Sequence, residues 1–152
     1  MKPYTATQHQ ARRLVQLGLA LFLLALVVGV LLHRFAVPRL ALSAHLLGVL
    51  QGTFLLAIAA WWPKFSFTHK RSWLTFWLLA YGCVAAWLAN LLAALWGAGN
   101  TLLSMAAGAA RGSALQEGII VVLLRSSAVA LVAALVLLLW ASRRTASVSE
   151  SS

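Results

Sequence analysis

Long apolar runs alternate along this chain with short clusters of bases, turn formers and tryptophans. The runs cover Leu14–Leu32, Leu40–Trp62, Trp73–Trp96 and Gly118–Trp140. At about 1.5 Å per residue, roughly 20 residues cross the hydrocarbon core of a bilayer, so each run predicts one transmembrane helix. The breaks agree with this reading. His33, Arg34, Pro38 and Arg39 form a turn, Pro63-Lys64 stops the second run, and Gly97-Ala98-Gly99-Asn100 ends the third. Phe65–Arg71 is a basic loop, and Thr101–Gln116, carrying Gly108, Arg111 and Gly112, predicts a loop or a helix lying at the interface. The first run has the outline of a signal peptide, but it is as long as a full span and lacks a small-x-small cleavage site. The expected fold is an all-α integral membrane four-helix bundle over residues 14–140. A polar segment, 1–13, precedes it, and a flexible tail, 141–152, follows, with the composition of disorder from Thr145 onward.

Four spans put both termini on one side. Lys2, Arg12, Arg13, Lys64, Lys70, Arg71, Arg143 and Arg144 share that side, against Arg34, Arg39 and Arg111 opposite. The excess of bases in short flanking segments predicts that both termini are cytoplasmic. Trp61, Trp62, Trp73, Trp96 and Trp140 stand near span ends, where an aromatic belt is expected, whereas Trp77 and Trp87 lie deeper. His33 and His69, at span ends beside bases, read as solvated interface residues.

Composition narrows the function classes. A chain of 152 residues that is 62% apolar and 9% charged cannot hide its apolar surface in its own core. The net charge of +10 flanks apolar runs instead of clustering on a folded surface, which argues for membrane anchoring and against nucleic acid as a partner. Membrane lipid is the implied surrounding. Cys83 is the single cysteine, so neither an intrachain disulfide nor a cysteine-based metal site is available. Glu117 and Glu150 are the only carboxylates, which excludes paired-carboxylate catalysis within the membrane, and no Ser-His-Asp set or Walker-type loop is present.

The candidate chemistry lies in polar residues within the spans. His45 opens the second run, with Gly48 and Gly52 at i+3 and i+7 on the same helical face. An ionisable side chain at this depth costs about 2.5–3.5 kcal/mol when charged, so it normally faces a protein interior. Gly48 and Gly52 form a GxxxG pair extended by Ala44, which admits another backbone or a flat ligand at close range. Ordinary helix packing with a hydrogen-bonded histidine is the alternative. In the third run, Cys83, Trp87 and Asn90 make a stripe at i, i+4 and i+7, with Tyr81 about half a turn away. The stripe is either a helix contact glued by one amide or an aromatic wall of a substrate pocket. Arg125, followed by Ser126 and Ser127, lies within the fourth run. It either snorkels to the interface or pairs with an anion from outside the protein, such as a lipid phosphate or a cofactor propionate.

Ser43-Ala44-His45, Gly48, Gly52, Trp62-Pro63, Tyr81-Gly82, Trp87 and Trp96-Gly97-Ala98-Gly99 together resemble the hydroxylaminobenzene mutases, over about residues 12–140. The second run also resembles the equivalent segment of styrene oxide isomerase. The resemblance implies a small membrane isomerase that turns N-hydroxylaminoarenes into aminophenols without a cosubstrate. It further implies haem b with His45 as the iron ligand, and the residues read above as able to border such a cofactor are then Gly48, Gly52, Trp87 and Arg125. Gln51, Tyr81 and Asn90 are then the residues facing a small aromatic substrate. Gln51 falls where styrene oxide isomerase has an asparagine one methylene shorter, and Leu17 where relatives have a histidine. A homo-oligomer, possibly a trimer, in a bacterial-type inner (plasma) membrane is implied on the same ground. Two other classes stand beside it: a non-catalytic four-span scaffold or transporter subunit, and a haem-bearing electron carrier. The carrier is disfavoured because a b-type carrier wants two axial ligands, and His45 is the only histidine within a span.

Overall fold

A computed structural model of the chain describes the backbone of residues 6–149 and the side chains of residues 7–143. The ends of the polar N-terminal segment and of the tail, with Lys2 and Glu150, lie outside the described residues. Helix α1 spans Ala6–Val30 and α2 spans Pro38–Trp61, joined through a 3-10 turn at Leu32–Arg34. A second 3-10 turn at Trp62–Lys64 leads to α3, His69–Trp96. A single-turn helix, α4 at Ser104–Ala107, lies in the connection to α5, Ala114–Ser149. Helices α1, α2, α3 and α5 are long and apolar enough to cross a membrane, and no strand occurs among the described residues. The protein is an all-helical, four-span membrane protein.

The helix ends depart from the ends of the apolar runs. Helix α1 starts at Ala6, about two turns before Leu14, and α5 continues through Ser149, past the point where an irregular tail was expected. Hydropathy marks the edge of the lipid, whereas the backbone ladder continues as long as the residues tolerate helix. Ala141, Arg143 and Arg144 are good helix formers. Where turn chemistry intervenes, the ends coincide. Pro38 occupies the first turn of α2, where its missing N–H costs nothing. Gly97 ends α3 in the left-handed region at φ 63°, and the Ala98 N–H donates back to the Ala93 carbonyl at 3.0 Å.

The helices pack in the order α1, α2, α3, α5. Helix α3 is the centre: 61% of its apolar window is buried, against 22–33% for the other three spans. Helices α1 and α2 cross where two glycines meet. A Cβ on Gly52 would lie 2.8 Å from the Gly18 carbonyl oxygen, and one on Gly18 would lie 2.9 Å from that of Gly52. The two backbones touch, as small-residue rows in membranes allow. At one end of the bundle, Gln10 of α1 accepts hydrogen bonds from Trp62 Nε1–H (3.2 Å) and the Ser72 hydroxyl. At the same end Arg71 of α3 stacks over the Trp140 ring of α5, 4.0 Å from its centroid. The start of α1, the end of α2, the start of α3 and the later part of α5 therefore share that end. Trp62 belongs to this cluster: it is fully buried against Phe65 and Phe67. It is a core residue, unlike Trp61 and Trp73, which stay exposed as an interfacial belt requires.

At the opposite end Glu117, in the first turn of α5, gathers the α3–α5 connection. Its carboxylate accepts the N–H groups of Gly99 (2.7 Å), Asn100 (3.1 Å) and Thr101 (3.2 Å), and the Thr101 hydroxyl (3.0 Å). These donors include N–H groups just past the end of α3 that would otherwise need water.

Candidate active site

His45 stands in the second turn of α2 and leans on α1. Its Nδ1 lies 2.7 Å from the Ala25 carbonyl oxygen. A carbonyl only accepts, so Nδ1 carries the proton, and in the neutral ring the lone pair is left on Nε2. The ring fits there because α1 presents Gly29, where a Cβ would lie 2.6 Å from Nδ1. The side chain is half-buried.

One turn further along α2, Gly48 receives α3. A Cβ on Gly48 would lie 2.7 Å from both Cδ1 and Nε1 of Trp87, and 2.7 Å from the Ala25 Cβ. The indole edge of Trp87 thus rests on the α2 backbone about 4.5 Å of axial rise from His45 and the same from Gln51. Both Trp87 and Gln51 are more than nine-tenths buried. Trp87 Nε1–H, a donor, and Gln51 Oε1, an acceptor, are shut away from solvent with no hydrogen-bond partner. Each such group costs about 1–3 kcal/mol. A native protein tolerates that cost at a site where something else supplies the partner.

The other predicted residues are distributed around this nucleus. Asn90, one turn beyond Trp87, is buried, and its Nδ2 donates to the Ala86 carbonyl at 3.0 Å. Cys83 is fully buried in the same stripe. Gly52 faces Gly18 of α1, so the close approach that its spacing left open, to a backbone or to a flat ligand, is made by a backbone. Tyr81 turns the other way: it is 47% exposed and lies 2.7 Å from Ser126 Oγ on α5. Ser126 in turn donates to the Val122 carbonyl at 2.7 Å, so the Tyr81 hydroxyl is the donor to Ser126. Arg125 is exposed on α5, away from the His45–Gly48–Trp87–Gln51 group. No cluster of three or more His, Cys, Asp or Glu occurs among the described residues. A lone imidazole with its lone pair left on Nε2 is a donor of the kind that iron takes, while the near faces of Gly48 and Gly52 are covered by Trp87 and by Gly18.

The sequence matches the family model for styrene oxide isomerase over residues 10–143. The chain belongs to that family. Hydroxylaminobenzene mutase HabB of Ectopseudomonas oleovorans is 47% identical over 133 residues, covering 88% of this chain and 81% of that protein. Hydroxylaminobenzene mutase HabA of the same organism is 43% identical over 122 residues, covering 80% of this chain and 90% of that protein. No solved structure matches. This family member is a membrane isomerase of the mutase type, which removes the scaffold and electron-carrier alternatives.

Two contributors to the site escaped the reading of the sequence: Ala25, which holds the His45 proton, and Gly29, which makes room for the ring. The signal was available, since Ala25 and Gly29 form a small-xxx-small pair on α1.

Proposed function

We propose that this chain converts N-hydroxylaminoarenes, hydroxylaminobenzene among them, to 2-aminophenols by intramolecular hydroxyl transfer, with haem b held through His45. The substrate class is supported by the two mutases it resembles. One observation carries the assignment of the site: the 2.7 Å hydrogen bond from His45 Nδ1 to Ala25, which orients the ring and leaves Nε2 for a ligand bond. When bound, held by His45, haem would supply ferric iron acting as a Lewis acid.

The reaction itself is balanced within one molecule. The N–O bond breaks, a C–O bond forms at the ortho carbon, and the proton released from that carbon ends on nitrogen. No oxidant or reductant is consumed. The chain's residues hold the substrate during this exchange. In this reading Trp87 Nε1–H donates to the migrating oxygen and Gln51 Oε1 accepts from the N–H or O–H of the hydroxylamine; that both atoms are buried without a protein partner supports the assignment. Breaking the N–O bond leaves positive charge on the arene, which the face of Trp87 stabilises by about 1–2 kcal/mol in a desolvated site. The apolar packing around Leu55, Leu79 and Cys83 keeps water out, so hydroxyl returns to the ring and the cation is not lost to side reactions. Asn90 stiffens the Trp87 turn from behind.

The location that goes with this reading is a bacterial-type plasma membrane with both termini cytoplasmic. Arg12, Arg13, Lys64, Lys70, Arg71 and Arg143 gather at the Gln10 end of the bundle, which supports that orientation. A homo-oligomer, a trimer by resemblance, belongs to the same reading. The test is an absorption spectrum of the detergent-purified protein with an assay of phenylhydroxylamine. A Soret band that is lost in His45→Ala, with conversion to 2-aminophenol needing no added cofactor, is expected. Active protein without a Soret band overturns the haem assignment, and haem-loaded protein that leaves the hydroxylamine unchanged overturns the substrate.

A further inference from the structure

Helix α3 is covered by α2 on one side and by α5 on another, and its remaining face is open between α1 and α5. The opening is a groove of about 530 Å³, walled by Leu17 of α1, Trp77, Tyr81 and Leu88 of α3, and Leu123 of α5. Arg13 caps it at the end where the chain termini lie. The groove follows α3 from Phe76 to Leu88, about 18 Å at helical rise. The hydrocarbon depth of one leaflet is about 15 Å, half of the bilayer core. Groove and leaflet therefore match in length, and the cation stands at headgroup level. The tilt of helical side chains toward the N-terminus carries the Arg13 guanidinium further toward water.

Charge decides what fills it. Glu117, the only carboxylate among the described residues, is occupied at the opposite end of α3 by the Gly99–Thr101 backbone. An anion at Arg13 must then come from the surroundings, and it arrives attached to an acyl chain because the groove below Arg13 is apolar and aromatic. We propose that this groove is a binding site for one anionic phospholipid of the leaflet on the termini side, its phosphate on Arg13 and one chain lying along Trp77 and Leu88. Trp77 is 48% exposed, so part of its ring stays open to an acyl chain even with Trp73 and Phe76 packed edge-to-face against it. The site is separate from the His45–Trp87 nucleus, which lies on the α1–α2–α3 side.

The test uses the full-length protein in phosphatidylcholine nanodiscs containing a minor fraction of lipid brominated on its chains, the brominated lipid being phosphatidylglycerol in one series and phosphatidylcholine in the other. Tryptophan emission that disappears in Trp77→Phe is the reporter. Brominated phosphatidylglycerol is expected to quench it in preference to brominated phosphatidylcholine. The preference falls about fivefold in Arg13→Gln. Arg13→Lys, which keeps the charge, retains most of it. Equal quenching by the two lipids, unchanged in Arg13→Gln, overturns the proposal. So does a Trp77 signal that neither lipid quenches while cysteines placed at Leu88 cross-link between copies, because a second copy then fills the groove. Relief of the quenching by hydroxylaminobenzene overturns it too, marking an arene port. None of these readouts depends on haem or turnover, so the outcome is independent of the proposed activity.

Discussion

Trp87 rests the edge of its indole on Gly48, so closely that a single methyl group there would sit 2.7 Å from both Cδ1 and Nε1. Among the described residues, the one buried side-chain donor left without a partner thus has its position set by the absence of a side chain on the neighbouring helix. Gly48→Ala is expected to push Trp87 off α2. The strain of overpacking is about 1–3 kcal/mol, and displacement of a positioning group by about 1 Å lowers kcat/KM by up to a hundredfold. Turnover of phenylhydroxylamine alongside thermal melting measures both. Gly118→Ala, where a Cβ meets nothing within 4 Å, is the matched control and is expected to be neutral or slightly stabilising.

Gly29 does for His45 what Gly48 does for Trp87. Gly29→Ala places a methyl 2.6 Å from Nδ1 and displaces the ring from Ala25. Loss of such an orienting hydrogen bond costs about 10–100-fold in metal affinity. The haem-to-protein ratio after purification is expected to drop while the helical circular dichroism stays intact. An unchanged ratio would show that the Ala25 contact does not orient a ligand.

Gln51 separates stability from activity. Its Oε1 is buried without a partner, so Gln51→Leu removes a cost of about 1–3 kcal/mol while keeping the side chain's bulk. The variant is expected to melt higher and to turn over more slowly. A fall in both quantities would mean that Gln51 is a packing residue.

Glu117 is a clasp, remote from the site. Glu117→Gln leaves one acceptor where four donors from Gly99, Asn100 and Thr101 converge, at a cost of about 2 kcal/mol or more. The melting temperature is expected to fall while KM for the hydroxylamine at low temperature remains that of the parent.

Hydropathy was enough to place four spans and the breaks at Pro38, Pro63 and Gly97, because lipid solvation acts on each residue separately and turn chemistry is local. It also picked out His45, Gly48 and Trp87, since polar or aromatic groups and small-residue rows stand out in leucine-rich runs, whereas Gln51 entered through the family resemblance. Pairing across helices was less legible. That Gly29 seats His45, and that Gly52 is matched by Gly18, depends on how α1 slides along α2, which no single-helix period encodes. Trp62 is a core residue and not an anchor because Gln10 of α1, far away in sequence, closes over it together with the nearby Phe65 and Phe67. Tyr81 and Trp87 stand six residues apart on one helix, yet one faces α5 and the other α2, a division that the stripe at Cys83, Trp87 and Asn90 already suggested.

The packing order has a consequence for biogenesis. Helices α1 and α2 close on each other as one hairpin, and α3 and α5 as another, with the α2–α3 seam joining the two. Trp87 comes from one hairpin, while His45 and Gln51 come from the other. The His45–Trp87–Gln51 group therefore exists only once the two hairpins pack together. Until that docking, neither hairpin alone brings the imidazole, the indole and the amide together, so assembly and formation of this group are one event.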